Sequence, residues 1–182
     1  MNRPKNEADI AADWWRNLQP YFQDGRSNPK VDRAALARLR RADLVAAMED
    51  PTTLALFRAL GRTSPDDLPE VAVCAAVLAA VREDDRSAHT ARQLGAPPGE
   101  PGARAVVSPL RFRRLIQAGS PEERLTALRR AVALAAGRIN VRELAAACLK
   151  WSDDSRRRWI FEYYAAGFAA PPAEPTYQDL HA

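Results

Sequence analysis

Apolar residues recur along most of this chain at intervals of three and four, the spacing of one face of an α-helix. The first such stretch covers about 7–22, with Ile10, Trp14 and Leu18 four residues apart and Trp15 beside them. Asn28-Pro29 marks a loop, and Asp32 supplies the short acceptor side chain that caps a second helix carrying Leu36 and Leu39. Asp50-Pro51 restarts the chain, because Asp caps well and Pro fits the first helical turn; a short helix over 52–60 then ends at Gly61. After a break over 63–67, Pro69 opens 70–82, which is apolar on every side and predicts a central buried helix.

The rhythm fails over 84–107. Gly95, Pro97, Pro98, Gly99, Pro101 and Gly102 crowd eight positions, so this stretch is expected to be a mobile connector without regular structure. Beyond it the punctuation is clear. Ser108-Pro109 starts a helix through Phe112, Leu115 and Ile116 that stops at Gly119. Ser120-Pro121-Glu122-Glu123 is a capping box opening a helix through Leu125, Leu128 and Val132 to Gly137. Asn140 with Glu143 makes a weaker box, and Ser152 caps 153–166. Pro171, Pro172 and Pro175 follow. No period-2 strand of useful length occurs. The expected fold is all-α, about eight helices in two small lobes: an N-terminal lobe over 1–83, a flexible connector over 84–107, a basic C-terminal lobe over 108–167 and a disordered tail over 168–182.

Composition supports that picture. Of 182 residues 47% are apolar, and Ala occurs 36 times against 8 Gly, which favours helix. The longest apolar run, 71–81, is too short to span a bilayer, and the residues after Met1 lack the apolar core of a signal peptide. Cys74, Cys148, His89 and His181 are the entire cysteine and histidine inventory, so no Cys/His metal cluster can be assembled from it. The expected setting is reduced and cytoplasmic, with no membrane partner, no small-molecule substrate and no cofactor.

Charge is distributed unevenly. Residues 1–103 carry 14 basic and 15 acidic groups, whereas 104–158 carry 13 against 5. Of 27 cations 24 are Arg, whose planar fork suits phosphate, although base composition of the genome also favours Arg with Ala. Helical geometry sorts these residues by face. Arg33, Arg40 and Arg41 fall outside the sector of Leu36 and Leu39. Arg111 and Arg113 flank the arc of Phe112, Leu115 and Ile116, and Arg114 points away from it. Arg130 lies opposite Leu125, Leu128 and Val132, with Arg124 and Arg129 flanking. Arg156 falls in line with Trp159 and Tyr163, where it is expected against aromatic faces. Arg111, Arg113 and Arg114 have no acidic residue within seven positions, which weakens the reading of a solvated face of ion pairs. Such a surface attracts phosphate without reading sequence.

Catalysis finds little support. There is no P-loop, dinucleotide-binding glycine turn or paired-histidine motif. Cys74 and Cys148 sit among apolar residues as core thiols, and His89 falls in the connector. Glu83-Asp84-Asp85 point to different sides and read as a solvated helix end rather than metal ligands. Trp14, Trp15, Tyr21, Phe22, Trp151, Trp159, Phe161, Tyr163 and Tyr164 read mostly as core anchors, with one or two exposed for base stacking or subunit contact.

The order of Leu39-Arg40-Arg41-Ala42, Ser108-Pro109-Leu110-Arg111-Phe112-Arg113-Arg114-Leu115-Ile116, Leu128-Arg129-Arg130-Ala131, Leu149-Lys150-Trp151 and Arg156-Arg157-Arg158-Trp159 with Tyr163-Tyr164 resembles the CasB family. That family supplies the small subunit of Cascade, the type I-E CRISPR surveillance complex. The similarity covers about 11–166. It implies a non-enzymatic, all-helical subunit present in two copies, partnered by other Cascade proteins, CRISPR RNA and target DNA. Its basic surface would stabilise the R-loop through backbone contacts, while guide pairing reads sequence. Carried onto matching positions, the resemblance designates Arg40, Arg41, Arg111, Arg113, Arg114, Arg129 and Arg130 as nucleic-acid contacts. The alternatives are a protein–protein adaptor with incidental basicity, and a helix-turn-helix transcription regulator built on 138–164. The second helix of that pair is dense with aromatics and short of polar side chains for base edges.

Overall fold

The computed structural model describes residues 6–20, 27, 32–97 and 102–165. Tyr21, Phe22, the Asn28-Pro29 loop, Pro98, Gly99, Pro101 and the expected tail lie outside the described residues. Among the described residues helix makes up about 67%, in ten α-helices and one 3-10 turn, so the chain is predominantly all-α. No described helix is long and apolar enough to cross a membrane.

The helix starts follow from local chemistry. Helices α1 (Glu7–Leu18) and α2 (Arg33–Arg41) are capped by Asn6 and Asp32, whose side chains accept from the Asp9 and Ala35 N–H groups. The chain then breaks at Ala42, and Asp43 caps a separate α3 (Leu44–Glu49), a division the periodicity does not resolve. Asp50 caps α4 (Pro51–Ala59) through the Thr52 N–H at 2.8 Å. A 3-10 turn over Pro65–Asp67 leads into α5 (Leu68–Leu78), in which every residue from Val71 to Leu78 is buried. This all-round apolar helix is the axis of the fold. Helices α2, α3 and α4 pack against it from one half of the chain. From the other half come α8 (Pro121–Leu134) and α9 (Val141–Leu149). A single buried cluster therefore runs from Ala11 and Leu39 through α5 to Leu128, Leu144, Trp159 and Tyr163.

The described parts of the 84–107 segment, 84–97 and 102–107, are more structured than its glycines and prolines predict. β1 (Glu83–Asp84) pairs in parallel with β2 (Arg138–Ile139), Glu83 opposite Arg138 and Asp84 opposite Ile139. Gly137 turns into this pairing at φ +77°, a left-handed conformation that favours glycine, and its carbonyl accepts the Arg82 N–H at 2.8 Å. Helix α6 (Thr90–Leu94) then forms with Thr90, Ala91 and Leu94 buried. Long-range bonds hold it: Thr90 Oγ1 donates to the Asn140 carbonyl at 3.0 Å, and Asn140 N–H donates to Gln93 Oε1 at 2.9 Å. At its end a Cβ on Gly95 would collide with the Tyr163 carbonyl oxygen, so this glycine allows close approach of the chain to α10 (Asp153–Tyr163).

Glu83, Asp84 and Asp85 do not form a solvated helix end. Asp84 Oδ1 accepts the Val141 N–H at 3.0 Å and Asp85 Oδ2 accepts from Arg138 Nε at 3.0 Å, which ties the strand pair to the start of α9. Cys74 and Cys148 are buried, as expected of core thiols. The Cys148 side chain beside it and burial both push the Cys74 thiol well up.

Candidate nucleic-acid interface

The basic helix pair consists of α7 (Pro109–Gln117) and α8, which pack side by side. Helix α7 begins at Ser108-Pro109, buries Phe112 and Leu115, and turns Arg111, Arg113 and Arg114 to solvent. The Ser120 box starts α8: Ser120 Oγ accepts the Glu123 N–H at 3.2 Å, and Glu123 Oε2 accepts the Gly119 N–H at 2.8 Å. The Gly119 and Ser120 N–H groups, both donating to the Glu123 carboxylate, hold it below its ordinary range.

Between the two helices runs a groove of about 500 Å³. Arg111, Arg114 and Arg130 line it over an apolar floor that includes Leu115, Ala131 and Leu134. All three arginines are exposed, and none has an ion-pair or hydrogen-bond partner among the described residues. Arg113 is equally exposed and unpaired, but it lies about 200° around α7 from Arg111 and so falls on the opposite flank. The structure thus brings three of the seven designated arginines together at one groove.

The other three take different roles. Arg40 is exposed, yet its Nε donates to the Ala79 carbonyl at 2.6 Å, at the C-terminal end of α5 where the helix dipole favours a cation. Arg41 Nε donates back to Ala37 O of its own helix at 3.1 Å. Arg129 is turned inward rather than outward. Its Nη1 donates to Ala42 O at 2.6 Å, its Nη2 to Leu39 O and its Nε to Ala76 O at 3.4 Å. It is a strut joining α8 to the end of α2 and to α5, and burial lowers its pKa. Periodicity places Arg129 at the edge of the apolar face of α8; which side of that edge it takes depends on the α2 carbonyls, which lie about 90 residues earlier in the chain.

Several other arginines are committed to carboxylates, whereas Arg33, Arg58, Arg82 and Arg158 are exposed with no side-chain partner among the described residues. Arg124 is buried and bonds Glu70 of α5 at 2.6 Å, not its neighbours Glu122 and Glu123. Arg138 meets Asp85 at 3.0 Å, Arg142 meets Asp9 at 2.5 Å, and Arg157 pairs with Asp154. Arg156, expected against aromatic faces, bonds Asp153 at 2.8 Å one turn before it. Another exposed, unpaired arginine absent from the designated set is Arg104. Its signal is present in the chain, since it opens the basic stretch over 104–158. Of the aromatics, Trp15, Trp151, Trp159 and Tyr163 are buried, whereas Phe161 and Tyr164 are about half exposed.

Exposed guanidinium groups without internal carboxylates keep their full charge for an external anion, and an Arg fork fits phosphate oxygens. A family model described as CRISPR-associated protein Cse2 matches residues 35–164, a span that contains every designated arginine. No curated protein and no solved structure matches the chain.

Proposed function

The chain belongs to the CRISPR-associated Cse2 (CasB) family, which makes it a subunit of Cascade, and on that premise we propose that it binds nucleic-acid backbone without catalysing any bond change. In this reading it steadies the paired guide RNA and target DNA, and the displaced strand, by contacts to phosphate that ignore base order. Guide pairing supplies the sequence discrimination. Its partners are the other Cascade proteins, CRISPR RNA, target DNA and a second copy of itself, in the cytoplasm.

The observation that carries the reading is the convergence of Arg111, Arg114 and Arg130 on one groove with no carboxylate partner among the described residues. Arg113, Arg40 and Arg41 extend the cationic surface to the far flank of α7 and the end of α2, while Arg129 holds α8 in place behind it. The half over 108–167 supplies most of the charge, and the half over 1–83 supplies α5, on which α8 is seated. The isolated subunit is expected to bind DNA of any sequence with a Kd of about 10⁻⁴–10⁻⁶ M at physiological salt.

Charge reversal of Arg111, Arg114 and Arg130 to Glu tests the reading by mobility shift across a salt series. The triple variant should retain its fold and lose duplex binding. Replacement by Ala should flatten the slope of log K against log salt by about 0.9 for every phosphate no longer neutralised. Unchanged affinity in the reversed protein sinks the proposal.

A further inference from the structure

A second opening, of about 560 Å³, lies where the last turn of α10 meets the chain before α7. Ala96, Pro97, Ala105 and Pro109 line it together with Arg104 and Tyr164, and no carboxylate borders it among the described residues. Tyr164 is the informative side chain. Phe112 and Tyr163 stack with ring centroids 3.8 Å apart and planes 7° apart, and the Tyr163 hydroxyl anchors the pair by donating to Val107 O at 2.5 Å. The Tyr164 ring stands perpendicular to both, at 84° to Tyr163 and 88° to Phe112. It is therefore held in a fixed orientation by a buried scaffold while 54% of the residue stays exposed. On the same helix Trp159 and Tyr163 are covered, while Phe161 is also about half exposed but lies outside this opening.

A rigid aromatic ring, an apolar wall and an unpaired guanidinium together suit a flat aromatic group attached to an anion. Nucleotides have that chemistry. Bases inside a duplex are stacked on their neighbours, so the fitting ligand is a single strand. Ser108, whose hydroxyl makes no cap hydrogen bond, also lines the wall, so DNA and RNA strands share the chemistry that fits it. We infer that this groove is a base-stacking subsite for a nucleic-acid single strand, with one unpaired base on Tyr164 and the adjoining phosphate on Arg104. The inference rests on the nucleic-acid reading above and deepens it by giving the subunit a means of preferring an unpaired strand.

The test uses the full chain and a thymidine oligomer of about ten nucleotides carrying a single 2-aminopurine, whose fluorescence is quenched on stacking. Saturating wild-type protein should quench the probe. Tyr164→Ala should abolish quenching and weaken binding about tenfold, with Tyr164→Phe restoring both. Tyr164→Leu keeps apolar bulk and should still fail to quench, which separates stacking from packing if the alanine variant melts early. Arg104→Ala should weaken single-strand binding, and Tyr164→Ala should leave duplex affinity unchanged. Quenching of the same probe built in RNA supports the subsite as well, and the tighter of the two strands names its ligand. A probe left unquenched at saturation in both forms overturns the inference, as does a Tyr164→Ala protein that behaves like wild type. If reversal of Arg111, Arg114 and Arg130 abolishes binding while Tyr164→Ala has no effect, the subsite alone fails. The opposite pattern removes the α7–α8 backbone reading and leaves the subsite standing.

Discussion

Two regions of this protein use arginine in opposite ways. Around α9 and α10, Arg138, Arg142, Arg156 and Arg157 each meet a carboxylate and fasten β1 to β2, α9 to α1, or one helical turn to the next. Arg158 alone of α10's arginines has no side-chain partner among the described residues. On α7 and the outer side of α8, Arg111, Arg113, Arg114 and Arg130 meet none among the described residues. For Arg156 and Arg157 against the arginines of α7, the difference follows the local supply of acid. Asp153 and Asp154 precede Arg156 and Arg157 by three residues, the distance at which helical side chains are neighbours, whereas α7 contains no acidic residue. A paired guanidinium is neutralised locally and contributes little at the surface. An unpaired one keeps both its field and its counterions, which an incoming phosphate releases. Net charge alone would not have separated a fastening from an interface.

The comparison is sharpest between two adjacent residues on α8. Arg129→Ala removes a cation from three backbone carbonyls and should cost roughly 2 kcal/mol of stability in urea unfolding. Arg130→Ala, one position on, should stay within about 0.5 kcal/mol while weakening nucleic-acid binding. Equal destabilisation in the two variants would break the distinction between strut and contact.

Acid provides a smaller effect of the same kind. Burial acts to raise the Asp50 carboxyl, but the Thr52 backbone and side chain and the Arg38 guanidinium outweigh it and hold the group below its ordinary value. A depressed folded value means that Asp50 stabilises the fold wherever it is ionised in both states, above its unfolded pKa of about 3.9. That contribution disappears as pH falls through the lower folded value. Thermal melts should therefore show stability declining below about pH 4, and Asp50→Asn should blunt the decline. An Asn variant with an unaltered acid profile would show that Asp50 is not the group responsible. Smallest of all, Arg156→Ala combined with Arg157→Ala should change stability by about 0.5 kcal/mol or less and leave DNA affinity where it was. Weaker DNA binding there would place α10 on the interface.

Much of the architecture is legible without coordinates. Asp32, Asp50, Ser120, Asn140 and Ser152 all cap helices as their chemistry predicts, because a cap is decided within four residues. The buried character of α5 is equally plain in an unbroken apolar run. The break between α2 and α3 is readable in principle, since Asp43 is a cap-forming residue, but continuous helical propensity on both sides conceals it. Helix α6 and the β1–β2 pair are not readable. Their bonds reach about 50 residues along the chain, and no local pattern announces a partner that distant.

The sequence by itself determined that this chain would be helical, where most helices begin, and that cations outnumber acids over 104–158. Those properties reside in neighbouring residues and their spacing. Tertiary structure decided the fate of Arg124, Arg129, Arg138 and Arg142, since pairing requires an acceptor within about 4 Å in space and theirs are remote in the chain. Glu70 reaches Arg124, and the α2 carbonyls reach Arg129, only once α5 has gathered both halves of the molecule around it.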